Sequence, residues 1–221
     1  AEYYNVTDFY RLRYSEDRIR LLDFERSAGQ VFDPKQSVIT DDGLLLGVRN
    51  KNVTYLTNTE GSVTAFVQEG ALWTYTQNNG KFAQVFDFRK AAKGDFRDSH
   101  TEHDIKLLSV EDDGDVNFMV YGYMNRGNHE GYCGAGIYHY NHDQNVVEEK
   151  VFIPTTESFE FLKSDLGTLS YVNKKNQLFL LLSGSLYQIN IDDSEYKVLA
   201  ENIDSNQFAV SETNAHAAWR I

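Results

Sequence analysis

Apolar and polar residues alternate along most of this 221-residue chain, in short runs broken by turn residues. Alternation of period two is the signature of strands with one face buried. Residues 9–14 and 18–24 read as a first hairpin. Three runs follow, Leu44 to Val48, Val53 to Thr57 and Val63 to Gln68, broken at Asn50-Lys51-Asn52 and Asn58-Thr59-Glu60-Gly61. A second hairpin pairs Leu72 to Thr76 with Phe82 to Phe86. Ile105 to Glu111 and Val116 to Tyr123 flank Asp112-Asp113-Gly114-Asp115, a strong tight-turn signal. Then come a hairpin at Ile137 to Glu149, strands at Thr168 to Val172 and Gln177 to Leu182, and a hairpin at Tyr187 to Leu199. Phe208 to Ser211 and Ala215 to Trp219 close the pattern. Polar stretches interrupt it at 30–42, which holds Pro34 and Asp41-Asp42-Gly43, at 89–104, read as a surface loop or short helix, and at the Gly-rich 124–134.

The hairpins resemble one another. Tyr10, Leu12, Tyr14 and Leu22 match Tyr187, Ile189, Ile191 and Leu199 in layout, with an acidic turn inside both copies. The hairpins at Leu72 and Ile137 repeat the theme. Recurrent hairpins at a spacing of roughly 50 residues are what β-propeller blades write into sequence. The predicted fold is therefore all-β, a propeller-like array of about four antiparallel blades forming one domain over 1–221. The chain opens on what reads as the last two strands of a blade and closes on the first two. Two accounts follow. The end strands pair and close the ring, hiding their edges, or the chain is a fragment of a larger propeller. The start at Ala1 in mid-pattern and the abrupt end at Trp219-Arg220-Ile221 lead us to expect a longer parent protein.

Composition agrees with strands, since 14 Phe and 14 Tyr stand against two Pro and aromatic residues suit a pleated, half-buried surface. The net charge of −12 opposes nucleic-acid binding, which rests on phosphate neutralisation, and opposes contact with an anionic membrane. No apolar run approaches the ~20 residues of a membrane-spanning helix. Arg11, Arg13, Arg18 and Arg20 cluster on the first hairpin and read as one solvated face. Cys133 is the only cysteine, which excludes an intrachain disulfide and a cysteine zinc cluster. Asn5-Val6-Thr7 and Asn52-Val53-Thr54 fit the glycosylation pattern.

Candidate chemistry concentrates in Tyr121-Gly122-Tyr123-Met124-Asn125-Arg126-Gly127-Asn128-His129-Glu130-Gly131-Tyr132. This insertion is much longer than an ordinary hairpin loop, and long loops on rigid scaffolds often carry function. Tyr123, Asn125, Arg126, His129 and Glu130 are the candidate ligand-binding residues. Arg126 has the fork that grips a carboxylate bidentately, and His129 with Glu130 suits acid–base or metal roles. Ser99-His100-Thr101-Glu102-His103-Asp104 offers possible metal ligands, but its histidines lack the four-residue spacing of the helical zinc motif. His139 sits on a strand and His142 in its turn, so no joint ligand role is expected. Leu182-Ser183-Gly184-Ser185 is not a nucleophile elbow. Gly131-Tyr132-Cys133-Gly134-Ala135-Gly136 lacks the spacing and following helix of a phosphate loop. Asp112 to Asp115 and Asp192 to Glu195 read as turns rather than calcium loops. No cofactor, metal site or catalytic residue is expected.

The blade units, the 121–131 loop and the Trp73 and Tyr138 strands together resemble TolB-like propeller domains. They resemble more narrowly those of poorly characterised exported or membrane-anchored proteins of Gram-positive gut anaerobes. That resemblance implies an extracytoplasmic binding or scaffold module presenting loops to a protein, peptide or glycan, with no catalytic residues to transfer. Tyr and Trp at loop tips would suit such contacts. The alternatives are a hydrolase or lyase using Arg126, His129 and Glu130, with Asp104 as a further candidate, and a purely structural spacer.

Overall fold

The computed structural model describes residues 3–47, 53–89, 95–212 and 216–220. They fall into two compact units, Ala1–Val53 with Val67–Glu69, and Thr54–Phe66 with Gly70–Ile221. In the first, β1 (Tyr4–Ser15) pairs antiparallel with β2 (Arg18–Gln30) in a two-stranded ribbon. Both strands outrun the predicted 9–14 and 18–24. The small hairpin of β3 (Ile39–Thr40) and β4 (Gly43–Leu44) follows, turning at the predicted Asp41-Asp42. The predicted strand from Leu44 to Val48 ends in residues that lie outside the described set, as do Asn52 of the second glycosylation pattern and Ala215.

Three meanders account for most of the second unit. β5 (Tyr55–Thr57), β6 (Val63–Gln68), β7 (Ala71–Thr76) and β8 (Lys81–Asp87) form one four-stranded sheet. β9 (His103–Val110), β10 (Val116–Tyr123), β11 (Cys133–Asn141) and β12 (Val146–Pro154) form the next. α1 (Phe159–Thr168) then leads into β13 (Ser170–Val172), β14 (Gln177–Leu182), β15 (Ser185–Asn190) and β16 (Glu195–Ala200). First strands adjoin, β5 beside β9 and β9 beside β13, and the last strands β8, β12 and β16 adjoin likewise. Antiparallel sheets stacked with like strand beside like strand give a propeller-like array. The expected count of about four becomes three complete sheets among the described residues. β17 (Phe208–Val210) and β18 (Ala217–Trp219) form a two-stranded sheet of their own, as do β1 and β2. The ring-closing pairing of end strands is thus not seen among the described residues.

The central sheet explains the order of the stack. Seven of the eight residues of β10 are buried, because it is covered on both faces. Met119 and Tyr121 point with Ile137 and Ile153 into a core shared with Leu178, Leu180 and Ile189 of the third sheet. Phe118, on the opposite face, meets Phe86 of the first sheet and stacks on Tyr138. On the far face of the third sheet, Leu181 and Leu186 pack with Phe208 of β17, and Trp219 of β18 rests against that cluster.

The sequence reading placed nothing at 155–167, where α1 forms. Ser158 holds the N-cap position, and Phe159, Leu162 and Leu166 recur at helical spacing. Leu162 and Leu166 are buried in the core between the second and third sheets. At the C-terminal end, Lys106 donates Nζ to the Leu166 carbonyl at 2.6 Å and Ser170 donates its hydroxyl to the same oxygen at 2.7 Å. A cation there complements the helix dipole, while burial pulls the Lys106 amine below its usual range.

A polar seam links the sheets at their turns. Asn117, fully buried, donates to Ser109, Glu111 and Asn176 and binds the His139 ring through its oxygen. Asp115 receives His139 Nε2 at 3.1 Å and the backbone N–H of His142 at 2.7 Å. His142 reaches Thr76 of the first sheet. The 112–115 stretch is thus a turn, as expected. His139 and His142 do meet, through Asp115, in a structural network. No helix among the described residues is long and apolar enough to cross a membrane.

Candidate functional site

The insertion between β10 and β11 is a stapled platform. Met124 N–H donates to the Tyr132 carbonyl and Gly131 N–H to the Met124 carbonyl, both at 2.9 Å, so the hairpin ladder continues into the loop. Gly127 and Gly131, at φ of +92° and +91°, make the reversals that a side chain would strain.

Its polar side chains are committed to the protein. Arg126 is 8% exposed; it donates Nε to the Phe88 carbonyl and Nη2 to Asp95 at 2.8 Å and Asp98 at 2.7 Å. The carboxylates expected from a ligand are the chain's own, supplied by Asp98 of a 3₁₀ turn at Phe96–Ser99 and by its N-cap, Asp95. Hydrogen bonds from Arg97, then from Arg126, hold the Asp95 carboxyl well below the usual range. Asn125 is buried and donates to the carbonyls of Arg97 and His100. Glu130 is half exposed and pairs with Arg97 at 3.1 Å. These three side chains tie the insertion to residues 88–100, although Glu130 stays half exposed and Arg126 also borders the recess described next.

His129 borders a recess together with Arg126. Its Nε2 meets Glu149 Oε1 at 2.8 Å, and its ring lies flat on Phe152, centroids 3.8 Å apart and planes within 9°. Tyr138 donates its hydroxyl to the other oxygen of Glu149 at 2.9 Å. Burial, then the Glu149 charge, pushes the Tyr138 phenol above its usual range. The recess measures about 340 Å³; Phe86, Phe88, Met124 and Val147 give it apolar walls, and Asp87, Arg126, Asn128, His129 and Glu149 its polar lining. It opens between β8, β11, β12 and the loop.

Two glycines build this site, and they are the signal that sequence reasoning passed over. A Cβ on Gly134 would stand 2.6 Å from the Phe152 ring, and one on Gly136 would stand 2.8 Å from the Tyr138 ring. Gly134, Gly136 and Tyr138 share one face of β11, so a Gly-x-Gly-x-Tyr strand marks where rings lie against bare backbone. Tyr138, Glu149 and Phe152 were not among the expected site residues.

Tyr123 belongs elsewhere. It packs on the His100 ring and lines a second recess of about 410 Å³ with Glu102, Cys133, Glu157 and Phe159. Cys133 is a free, half-buried thiol there. Asp104, a further candidate for catalysis, faces Tyr121 and Lys163. His103 stands edge-on to Phe88, and burial lowers its pKa. Among the described residues no group of three His, Cys, Asp or Glu side chains could hold a metal.

No protein-family model matches this chain, and no curated protein does. Solved structures share its strand pattern at a distance. It is similar to an oligogalacturonate lyase in complex with manganese at TM-score 0.41 and 13% identity, over 63% of this chain and 33% of that one. For the dipeptidyl peptidase 4 of Porphyromonas gingivalis the values are 0.45 and 10%, over 95% and 35%. For the extracellular domain of a one component system from B. thetaiotaomicron they are 0.38 and 12%, over 72% and 18%. The chain thus spans between 18% and 35% of the length of these structures. At such scores the fold rests on the chain's own sheets.

Proposed function

We propose that this chain is a non-catalytic binding module whose ligand, a peptide side chain or a sugar, enters the recess between Phe86, Tyr138 and Glu149. The observation that carries this is the fixing of the 124–131 loop by its own charged residues around a preformed, partly apolar hollow. A surface already ordered loses little conformational freedom on binding. Apolar walls with a few polar groups on one rim are the usual make-up of small-ligand sites. Phe86 and Val147 suit the C–H face of a sugar or an aliphatic side chain, and Glu149 and Asp87 accept hydroxyl or amino protons. With the resemblance to TolB-like domains, this reading makes the chain an extracytoplasmic module of a larger surface protein, contacting neither nucleic acid nor membrane.

One observation favours a second reading, a hydrolase or lyase. A histidine oriented by a carboxylate beside a tyrosine is an acid–base arrangement, and His129, Glu149 and Tyr138 form one. Thermal-shift and calorimetric titrations with oligosaccharide and peptide panels separate the readings, using wild type, His129→Ala and Val147→Asp. A ligand at a hundredfold its Kd stabilises by about 2.7 kcal/mol. A binder shows a shift that Val147→Asp abolishes, with the ligand recovered unchanged. Consumption of the ligand that His129→Ala stops would replace binding with catalysis. A panel that shifts nothing would leave the spacer reading in its place.

A further inference from the structure

The ribbon of β1 and β2 carries an ordered asymmetry. Tyr10 stands opposite Phe24, Leu12 opposite Leu21 and Tyr14 opposite Ile19, and residues directly opposite share a face. Between them Arg11 faces Asp23, Arg13 faces Arg20 and Ser15 faces Arg18. One face of the outer half is therefore apolar and the other an arginine face, as the sequence implied for the four arginines. The six apolar side chains are between 45% and 76% exposed. A two-stranded hairpin is marginal in water unless a face is covered.

We propose that this apolar face is an interface with a second copy of the chain, two ribbons stacking face to face about a two-fold axis. Three observations select that occupant. The face is self-complementary: reversing one ribbon over another brings Tyr14 and Ile19 of each copy near Tyr10 and Phe24 of the other, with Leu12 and Leu21 at the axis. Such an isologous contact closes at two copies. The area is adequate, since six side chains of this size at these exposures offer on the order of 600 Å² per copy, near the ~800 Å² of a standard interface. Charge permits approach here. Between Tyr4 and Gln30 five arginines balance five carboxylates, while the whole chain carries −12, so like-charge repulsion resides elsewhere. The arginine faces stay outward and solvated. Asp8 and Arg26, joined at 2.6 and 2.7 Å, give the patch a polar boundary, with Arg26 stacked over Phe24.

Sedimentation velocity of the 221-residue chain from about 1 to about 100 µM tests this, a range that spans the weak association expected of a contact below the ~800 Å² per partner of a standard interface. Mass rising from monomer to dimer is expected, and Leu12→Glu weakens association at least about tenfold. A second measurement does not depend on how well that variant folds. In a Cys133→Ser background, mild oxidation cross-links Leu12→Cys between copies, while Arg13→Cys on the arginine face stays monomeric. A chain monomeric throughout overturns the proposal, as does association untouched by Leu12→Glu or equal cross-linking from both cysteines. Burial of the face only on added phospholipid vesicles would overturn it in favour of a lipid surface.

Discussion

Removing the Glu149 carboxylate is the most direct probe of whether the recess is built in advance. Glu149 is bonded twice, by His129 at 2.8 Å and by Tyr138 at 2.9 Å. Hydrogen bonds to a charged group contribute about 1.5–3 kcal/mol each. The Glu149 side chain is 24% exposed, so water replaces part of what is lost. Glu149→Ala should then destabilise by about 2–3 kcal/mol, where simple addition of two bonds would reach ~6. For a domain of this size each kcal/mol lowers Tm by about 2–4 °C, so a drop of roughly 5–10 °C is expected.

Tyr138→Phe removes one of the two bonds and should cost about 1 kcal/mol. In the Glu149→Ala background the same change should cost nothing or stabilise, because the buried hydroxyl has already lost its acceptor. The cycle, measured by urea denaturation, should return a coupling of about 1 kcal/mol. Additivity within ~0.3 kcal/mol, or a Glu149→Ala protein as stable as wild type, would refute a preorganised rim. Ligand affinity should fall in Glu149→Ala beyond what stability alone explains.

Arg126→Met should speed amide exchange at 95–100 and 124–131, where Asp98 loses its counter-charge and Asp95 keeps only Arg97, and leave β10 protected; unchanged loop exchange would contradict the staple. Burial raises the Glu111 pKa, so its stabilising contribution is present below the ordinary carboxylate range and lost as pH rises through the raised value. Glu111→Gln, which keeps an acceptor for Asn117, should therefore raise Tm at pH 7.5 and lose that advantage near pH 4; equal gains at both would refute this. Burial pushes the Tyr121 and Tyr138 phenols up, so their contribution holds below pH ~10 and is lost above it. Absorbance at 295 nm should show a class of phenols, Tyr121 and Tyr138 among them, that ionises only with alkaline unfolding, one fewer in Tyr138→Phe. Leu162→Ala should cost 2–5 kcal/mol by opening a cavity between the second and third sheets, measured by denaturant titration.

Strand positions were legible wherever alternation met a strong turn. Val116 to Tyr123 and Gln177 to Leu182 match β10 and β14 residue for residue, since Asp112 to Asp115 and Ser183-Gly184 punctuate them. The helix was missed because its apolar residues are few and spaced by three and four, with no capping box to announce them. The first hairpin shows the limit of pattern matching. Tyr10 and Leu12 repeat the spacing of Tyr187 and Ile189, yet Ile189 is buried between sheets and Leu12 is 55% exposed. Alternation states which face wants cover; it does not state what covers it.

At the site, sequence drew attention to charged residues in a glycine-rich loop, and part of that loop borders the recess proposed above. Their roles were not legible, because Asp95, Asp98 and Phe88, which occupy Arg126, lie 28 to 38 residues earlier. A guanidinium looks the same in sequence whether it awaits a ligand or a carboxylate of its own chain. Burial decides between them: an arginine 8% exposed and doubly paired would strip Asp98 of its counter-charge, and leave Asp95 with Arg97 alone, if it turned to a ligand. The loop's charge therefore serves rigidity, and the proposed recognition falls to neighbours that look like core residues in sequence. Phe86 and Tyr138 read as ordinary strand aromatics, and Gly134 and Gly136 as weak points in a strand. Only the register of β11, which sets both glycines and Tyr138 on one face, lets the Tyr138 and Phe152 rings lie against bare backbone and Tyr138 line the recess.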